Sequence, residues 1–138
     1  MKAALICGAL TFLEPTMTPS QIKNCEHVAT RAEAGKVDPF VVVALGYYES
    51  TFMGGVESPS GAVGFLQVIP RYHCPGRKAK GCDTTAAGIR AYRNLYRKTG
   101  NHAEALARYN AGNRPGKTAR RFANRVIKLA ETLRRMAE

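Results

Sequence analysis

No stretch of the chain reaches the eighteen or so consecutive apolar residues that crossing a bilayer requires, so the sequence contains no candidate transmembrane helix. The closest approach is AALICGALTFL at 3–13, behind a single Lys2. Its length and flank suit the h-region of a secretory signal, yet no A-x-A cleavage site precedes Glu14 and Pro15,. A first core helix or an apolar arm fits the same residues. The expected division is therefore 1–17 as a signal or apolar N-terminal segment and 18–138 as the folded domain. Metal-binding patterns are missing too. Cys7, Cys25, Cys74 and Cys82 are spaced too widely for a zinc site, and no Cys-x-x-Cys occurs,. His27, His73 and His102 are scattered, so neither a metal nor a cofactor is expected. Acids are scarce: ten Asp and Glu face 21 Lys and Arg, a formal charge of +11. Such a surface draws polyanions of any kind, whether nucleic acid, anionic lipid or acidic wall polymer, and charge alone does not choose among them.

What is present is an ordinary globular balance, 45% apolar and 22% charged over 138 residues, enough for one domain that buries about two thirds of its unfolded surface. Thr18, Pro19 and Gln21 form a helix start, with threonine as cap, proline at the first position and glutamine able to reach back,. Apolar residues then recur at Ile22, Cys25, Val28, Ala29 and Ala32 until Gly35 stops the pattern,. Asp38 and Pro39 repeat the start signal. From there to about Ser50 the chain is apolar on every side; its three valines would suit a strand, but the Asp-Pro opening and the length predict a buried central helix,. Residues 54–64 hold four glycines and a proline and break regular structure; FLQVI comes next, ended by Pro70. Helical spacing returns over 83–99, from Asn101 with Glu104 onward through ALARYNAG, and beyond the turn at 112–116 in an arginine-rich final helix carrying Phe122, Val126, Leu129, Ala130 and Leu133,. With no repeat or long linker, the fold class predicted is mostly α, one compact domain.

Cys74 and Cys82 bracket the short basic stretch PGRKAKG, a span that one disulfide closes easily,. A bridge there fits an oxidising compartment, with two unpaired thiols as the alternative and the pairing of Cys7 and Cys25 open.

Glu49 is the carboxylate that stands out. Others sit where solvent is the natural neighbour, Glu26 and Glu33 on an amphipathic helix, Asp38, Asp83 and Glu104 at helix starts. Glu49 alone leaves the all-apolar helix. Burial raises a carboxyl pKa, and an acid protonated near neutrality can donate to a leaving group. A buried glutamate with a purely structural hydrogen bond is the competing reading.

Three segments in order resemble the Slt-type lytic transglycosylases, relatives of goose-type lysozyme: VDPFVVVALGYYESTF, whose helix ends in Glu-Ser; SPSGAVGFLQVIP, for Ser-x-x-Gly-Ala-x-Gly-Leu-Met-Gln; and ALARYNAG, for Ala-x-x-Tyr-Asn-Ala-Gly. The resemblance implies a lysozyme-like helical domain with an active-site groove, Glu49 as the sole catalytic acid and base, and Ser50, Ser58, Gln67, Tyr109 and Asn110 as substrate-binding positions. Gln67 and Asn110 would bond sugar hydroxyl and acetamido groups, Tyr109 would hold Glu49 and the sugar ring, and Gly61 and Gly64 would let the backbone pass close to sugar. Phe65 and Leu66 replace the usual Leu-Met, and Arg108 stands where the family often has a small residue. Tyr47, Tyr48, Tyr92 and Tyr96 read as core packing.

The implied reaction cuts the β-1,4 bond between N-acetylmuramic acid and N-acetylglucosamine in peptidoglycan, giving a 1,6-anhydro product. A hydrolysing lysozyme is the alternative, and it would need a second carboxylate about 5 to 9.5 Å away; Glu57 and Asp83 are the candidates in sequence. A non-catalytic wall binder and a nucleic-acid binder are the readings from other classes, the latter without any recognisable motif. The expected partner is the glycan strand, with no nucleic acid and no membrane span. The expected setting is the periplasm or cell envelope, reached by export, with a secretion machine or on a phage particle, and the expected state is monomeric.

Overall fold

The computed structural model describes residues 2–138. Seven helices carry the fold: α1 Lys2–Leu13, α2 Pro19–Ala34, α3 Pro39–Ser50, the single turn α4 Pro70–His73, α5 Thr84–Thr99, α6 His102–Ala111 and α7 Lys117–Ala137, with a 3₁₀ turn at Pro75–Arg77. Among the described residues there is no strand, only isolated bridges pairing Glu57 with Val63 and Val63 with Val68. The mostly α, lysozyme-like class expected from the sequence is the one observed.

The helix starts lie where the capping residues put them. Thr18 Oγ1 accepts from the Gln21 amide and the Gln21 side chain accepts from the Thr18 amide, a reciprocal box that satisfies two otherwise unpaired donors,. Asp38 accepts from Phe40 N ahead of Pro39, Asp83 from Ala86 N, and Asn101 from Glu104 N,. Pro70, expected only to end the preceding apolar piece, also opens α4, because a proline at the first helical position forfeits no hydrogen bond,.

α3 is the centre of the molecule. Phe40 to Gly46 are all buried, enclosed chiefly by α2 and α7, and each fully buried valine or leucine there contributes about 1.5–3 kcal/mol. That enclosure resolves the helix-or-strand ambiguity of the valine run. α7 packs on α3 and buries Ala119, Phe122, Ala123, Val126, Ala130 and Leu133 along one face. Its Arg134 pairs with Asp38, the cap of α3.

The N-terminal segment is part of this core. α1 buries Ala3, Ile6, Cys7 and Leu10, and a disulfide joins Cys7 to Cys25 on α2. Its other side is apolar as well, with Phe12 80% exposed. A second disulfide, Cys74 to Cys82, closes the basic loop. No helix is long and apolar enough to cross a membrane among the described residues. Two aromatic residues depart from the core packing expected of them: Tyr48 projects from α3 into solvent, and Tyr96 is exposed on α5, stacked on His102 at 4.3 Å between ring centroids. Tyr92 on the inner side of α5 is buried.

Candidate active site

Glu49 sits in the last turn of α3, and the sharp turn just beyond the helix fixes its position. Thr51 and Phe52 both adopt left-handed backbone, φ 50° and 60°, a conformation that costs a non-glycine residue about 1–3 kcal/mol. Neighbours hold the strain in place. Gln21 Nε2 donates to Thr51 O at 2.9 Å and Asn24 Nδ2 to Phe52 O at 2.9 Å. The turn drives the Phe52 ring inward against Gly46, where an added Cβ would stand 2.7 Å from the ring. Only glycine admits that contact.

Beside Glu49 opens a cleft of about 1060 Å³. One wall is the 58–69 segment with Ser58 and Gln67, another is α5 with Arg90, Ala91 and Asn94, and the end of α6 supplies Arg108, Tyr109 and Asn110. Glu49 is the only carboxylate on this wall among the described residues. Burial pushes its pKa up from 4.5 to about 7, and the carbonyl-rich end of α3 disfavours an anion there further. The two candidates for a second carboxylate stand elsewhere. Glu57 sits in the bridge to Val63, and Asp83 caps α5 while accepting from Arg31 at 2.7 Å, which with the Ala86 amide bond holds its pKa below the usual range.

The cleft brings together Glu49, Ser58, Gln67, Tyr109 and Asn110. Ser50 is elsewhere. It is buried, its hydroxyl donates to Phe65 O at 2.8 Å and accepts from Phe52 N at 3.1 Å, and successive helical residues diverge by about 100°. The Ser50 hydroxyl ties α3 to the 65–69 segment.

Tyr109 makes no hydrogen bond to Glu49; its hydroxyl donates to Leu66 O at 2.7 Å, pinning the 65–69 segment to α6. Burial raises its pKa, and the nearby Glu49 charge adds to the rise. Gln67 stands at φ 54° with its Nε2 donating to Val56 O at 3.1 Å and Gly64 O at 2.9 Å. Its amide nitrogen is engaged by the loop. Ser58 closes its own turn, accepting at Oγ from Ala62 N at 3.0 Å. Gly64, at φ 82°, is required by packing on α5, since a Cβ would clash with the Thr84 side chain; Gly61 has open space beside it.

Sequence reasoning missed the α5 wall. Gly88 lets it approach: a Cβ there would lie 2.8 Å from the Leu66 side chain and 3.2 Å from Tyr109 Oη. Arg90, on the same helix, forms no ion pair among the described residues; burial lowers the pKa of His73, also on the cleft lining, and the Arg90 charge lowers it further. The signal was available in the small residues Ala87, Gly88 and Ala91 on one side of a helix otherwise rich in large ones. Arg108, in contrast, is ion-paired with Glu104 at 3.3 Å. No group of three or more potential metal ligands exists among the described residues.

A carboxyl group with its pKa raised to about 7, on a cleft also lined by amide and hydroxyl side chains and holding no second acid, is able to donate a proton near neutral pH,. A family model described as Transglycosylase SLT domain matches residues 26–130. No curated protein and no solved structure matches the chain.

Proposed function

Because the chain belongs to the transglycosylase SLT domain family, we propose that it cleaves the β-1,4 bond between N-acetylmuramic acid and N-acetylglucosamine in peptidoglycan, with Glu49 acting alone. The observation that carries this reading is the half-buried Glu49, with a pKa near 7 and no second carboxylate on the cleft wall. Protonated Glu49 gives its proton to the glycosidic oxygen as the C1–O bond breaks, and the muramyl 2-acetamido group supports the positive charge at C1. The carboxylate so formed then takes the proton of the muramyl C6 hydroxyl, whose oxygen closes on C1. The 1,6-anhydro product forms without consuming water, and the acid is restored.

A pKa near working pH favours this double use, because neither the donating nor the accepting form is costly to reach. Gln67 Oε1 and the Asn110 amide are the groups assigned to the sugar's hydroxyl and acetamido positions, and Ser58 and Tyr109 shape the wall between them. The substrate is outside the cytoplasm, and two disulfides suit that setting,; the periplasm or envelope is the proposed place of action.

Mass spectrometry of digested peptidoglycan tests the reading. Anhydro-muramyl ends that vanish in Glu49→Gln support it. Reducing ends instead identify a hydrolase, and undigested walls refute both.

A further inference from the structure

Twenty-one cations and ten acids leave many positive charges without partners, and their placement is not uniform. Among the described residues there are five ion pairs, and two of the α7 arginines use them: Arg120 reaches Glu104 and Arg134 reaches Asp38. Both lie on the flank of α7, between its buried face and its outer face. The outer face carries Lys117, Arg121, Arg125, Lys128 and Arg135, all exposed and in none of these pairs. At about 100° per residue these five fall within one stripe centred opposite the buried face and about 27 Å long. The only acid in it is Glu131.

This arrangement works against the helix. Lys117 and Arg121, and Arg121 and Arg125, are like charges four residues apart, each pair destabilising by a few tenths of a kcal/mol. Lys117, Arg120 and Arg121 crowd the N-terminal end, where the helix dipole favours acids, and no side chain caps it,. Tertiary packing holds α7 despite its surface. A charge pattern that opposes local stability and that folding does not require points to a use outside the fold.

We propose that the outer face of α7 is a docking surface for a linear phosphodiester polymer of the cell wall, which holds the protein on the wall while the cleft works. Three of the five cations are arginines, whose planar fork pairs with phosphate oxygens in bidentate fashion. The steps between successive cations from Lys117 to Lys128 are about 4.5–6 Å along the axis, a spacing that meets successive charges of an extended polyanion. A bilayer is the poorer match, because interfacial helices interleave bases with large apolar side chains, and the stripe has none. The choice of a wall polymer rests on the wall-directed function proposed above.

The test uses the full chain with Glu49→Gln, so that walls stay intact, and pelleting with walls that bear poly(glycerol phosphate) or have been stripped of it. Substituting Arg121→Gln, Arg125→Gln and Lys128→Gln together is expected to weaken binding to polymer-bearing walls at least tenfold. It should also flatten the log–log salt dependence by about 2. A control of equal charge change on the disulfide loop, Arg77→Gln, Lys78→Gln and Lys80→Gln, is expected to keep most of the affinity. The inference is overturned if the control loses as much as the stripe variant, if stripped walls bind equally well, or if anionic phospholipid vesicles or duplex DNA bind more tightly than the polymer. With Glu49 restored, digestion of stripped walls by the stripe variant reports on the cleft alone, so a failure of the proposed cleavage is separable from a failure of docking.

Discussion

Replacing Glu49 with glutamine is expected to remove activity and, above neutral pH, to stabilise the protein. The rise of the Glu49 pKa from 4.5 to about 7 on folding means that the folded chain keeps a proton the unfolded chain has released. Its folding advantage is therefore intact below pH 4.5, declines as pH climbs from 4.5 to about 7, and then levels off,. The full decline amounts to about 3 kcal/mol. Glutamine has nearly the same shape and no ionisation, so the variant escapes the decline. Urea denaturation at pH 4 should give the two proteins the same stability within a few tenths of a kcal/mol. At pH 8 the variant should exceed the parent by about 2–3 kcal/mol, or about 10 °C in Tm. The lowered pKa values of Asp83 and Glu104 act equally in both proteins and cancel in the comparison. A variant no more stable than the parent at pH 8, or one stabilised equally at both pH values, would refute the desolvated-acid account.

Because the donor must be protonated, kcat/KM on glycan strands should fall about tenfold per pH unit above about 7,, as a pH–rate profile would show; a flat profile to pH 9 would exclude Glu49 as the acid. Tyr109→Phe removes the bond to Leu66 O and leaves that carbonyl unpaired, which should cost about 1–3 kcal/mol and lower kcat while leaving the Glu49-dependent pH limb in place, measured by denaturation and kinetics together. Cys25→Ser opens the 18-residue link to Cys7 and should cost about 3 kcal/mol, read from the shift in urea midpoint. Gly88→Ala should reduce turnover more than tenfold by displacing Leu66 and Tyr109, with circular dichroism unchanged.

Much of the helical scaffold was legible because its starts are written in local chemistry. Thr18, Asp38, Asp83 and Asn101 each cap the helix they announce, and that signal needs no knowledge of the rest of the chain. Relations across space lay beyond reach. Ser50 is adjacent to Glu49 in sequence, yet about 100° of helical rotation turns it away from the cleft and into the core,. The α5 wall escaped notice because a spacing pattern identifies the buried side of a helix and says nothing of which exposed side faces a cleft. Tyr96 lies in register with buried Tyr92, yet it stands where the packed surface has already ended. The same limit applies to residues 3–13: one apolar run suits a leader and an interior helix equally, and its bridge to Cys25 is not written in its spacing.

The Glu49 carboxyl is the tip of the most enclosed rod in the protein, so its aim is inherited from side chains that lie outside the cleft lining. Trimming a methyl from Val43 or Leu45 would leave the groove's composition untouched and still loosen the packing that holds the rod,. Selection for a tight interior and selection for a fast reaction therefore act on the same atoms, and sites far from the groove will carry kinetic signatures.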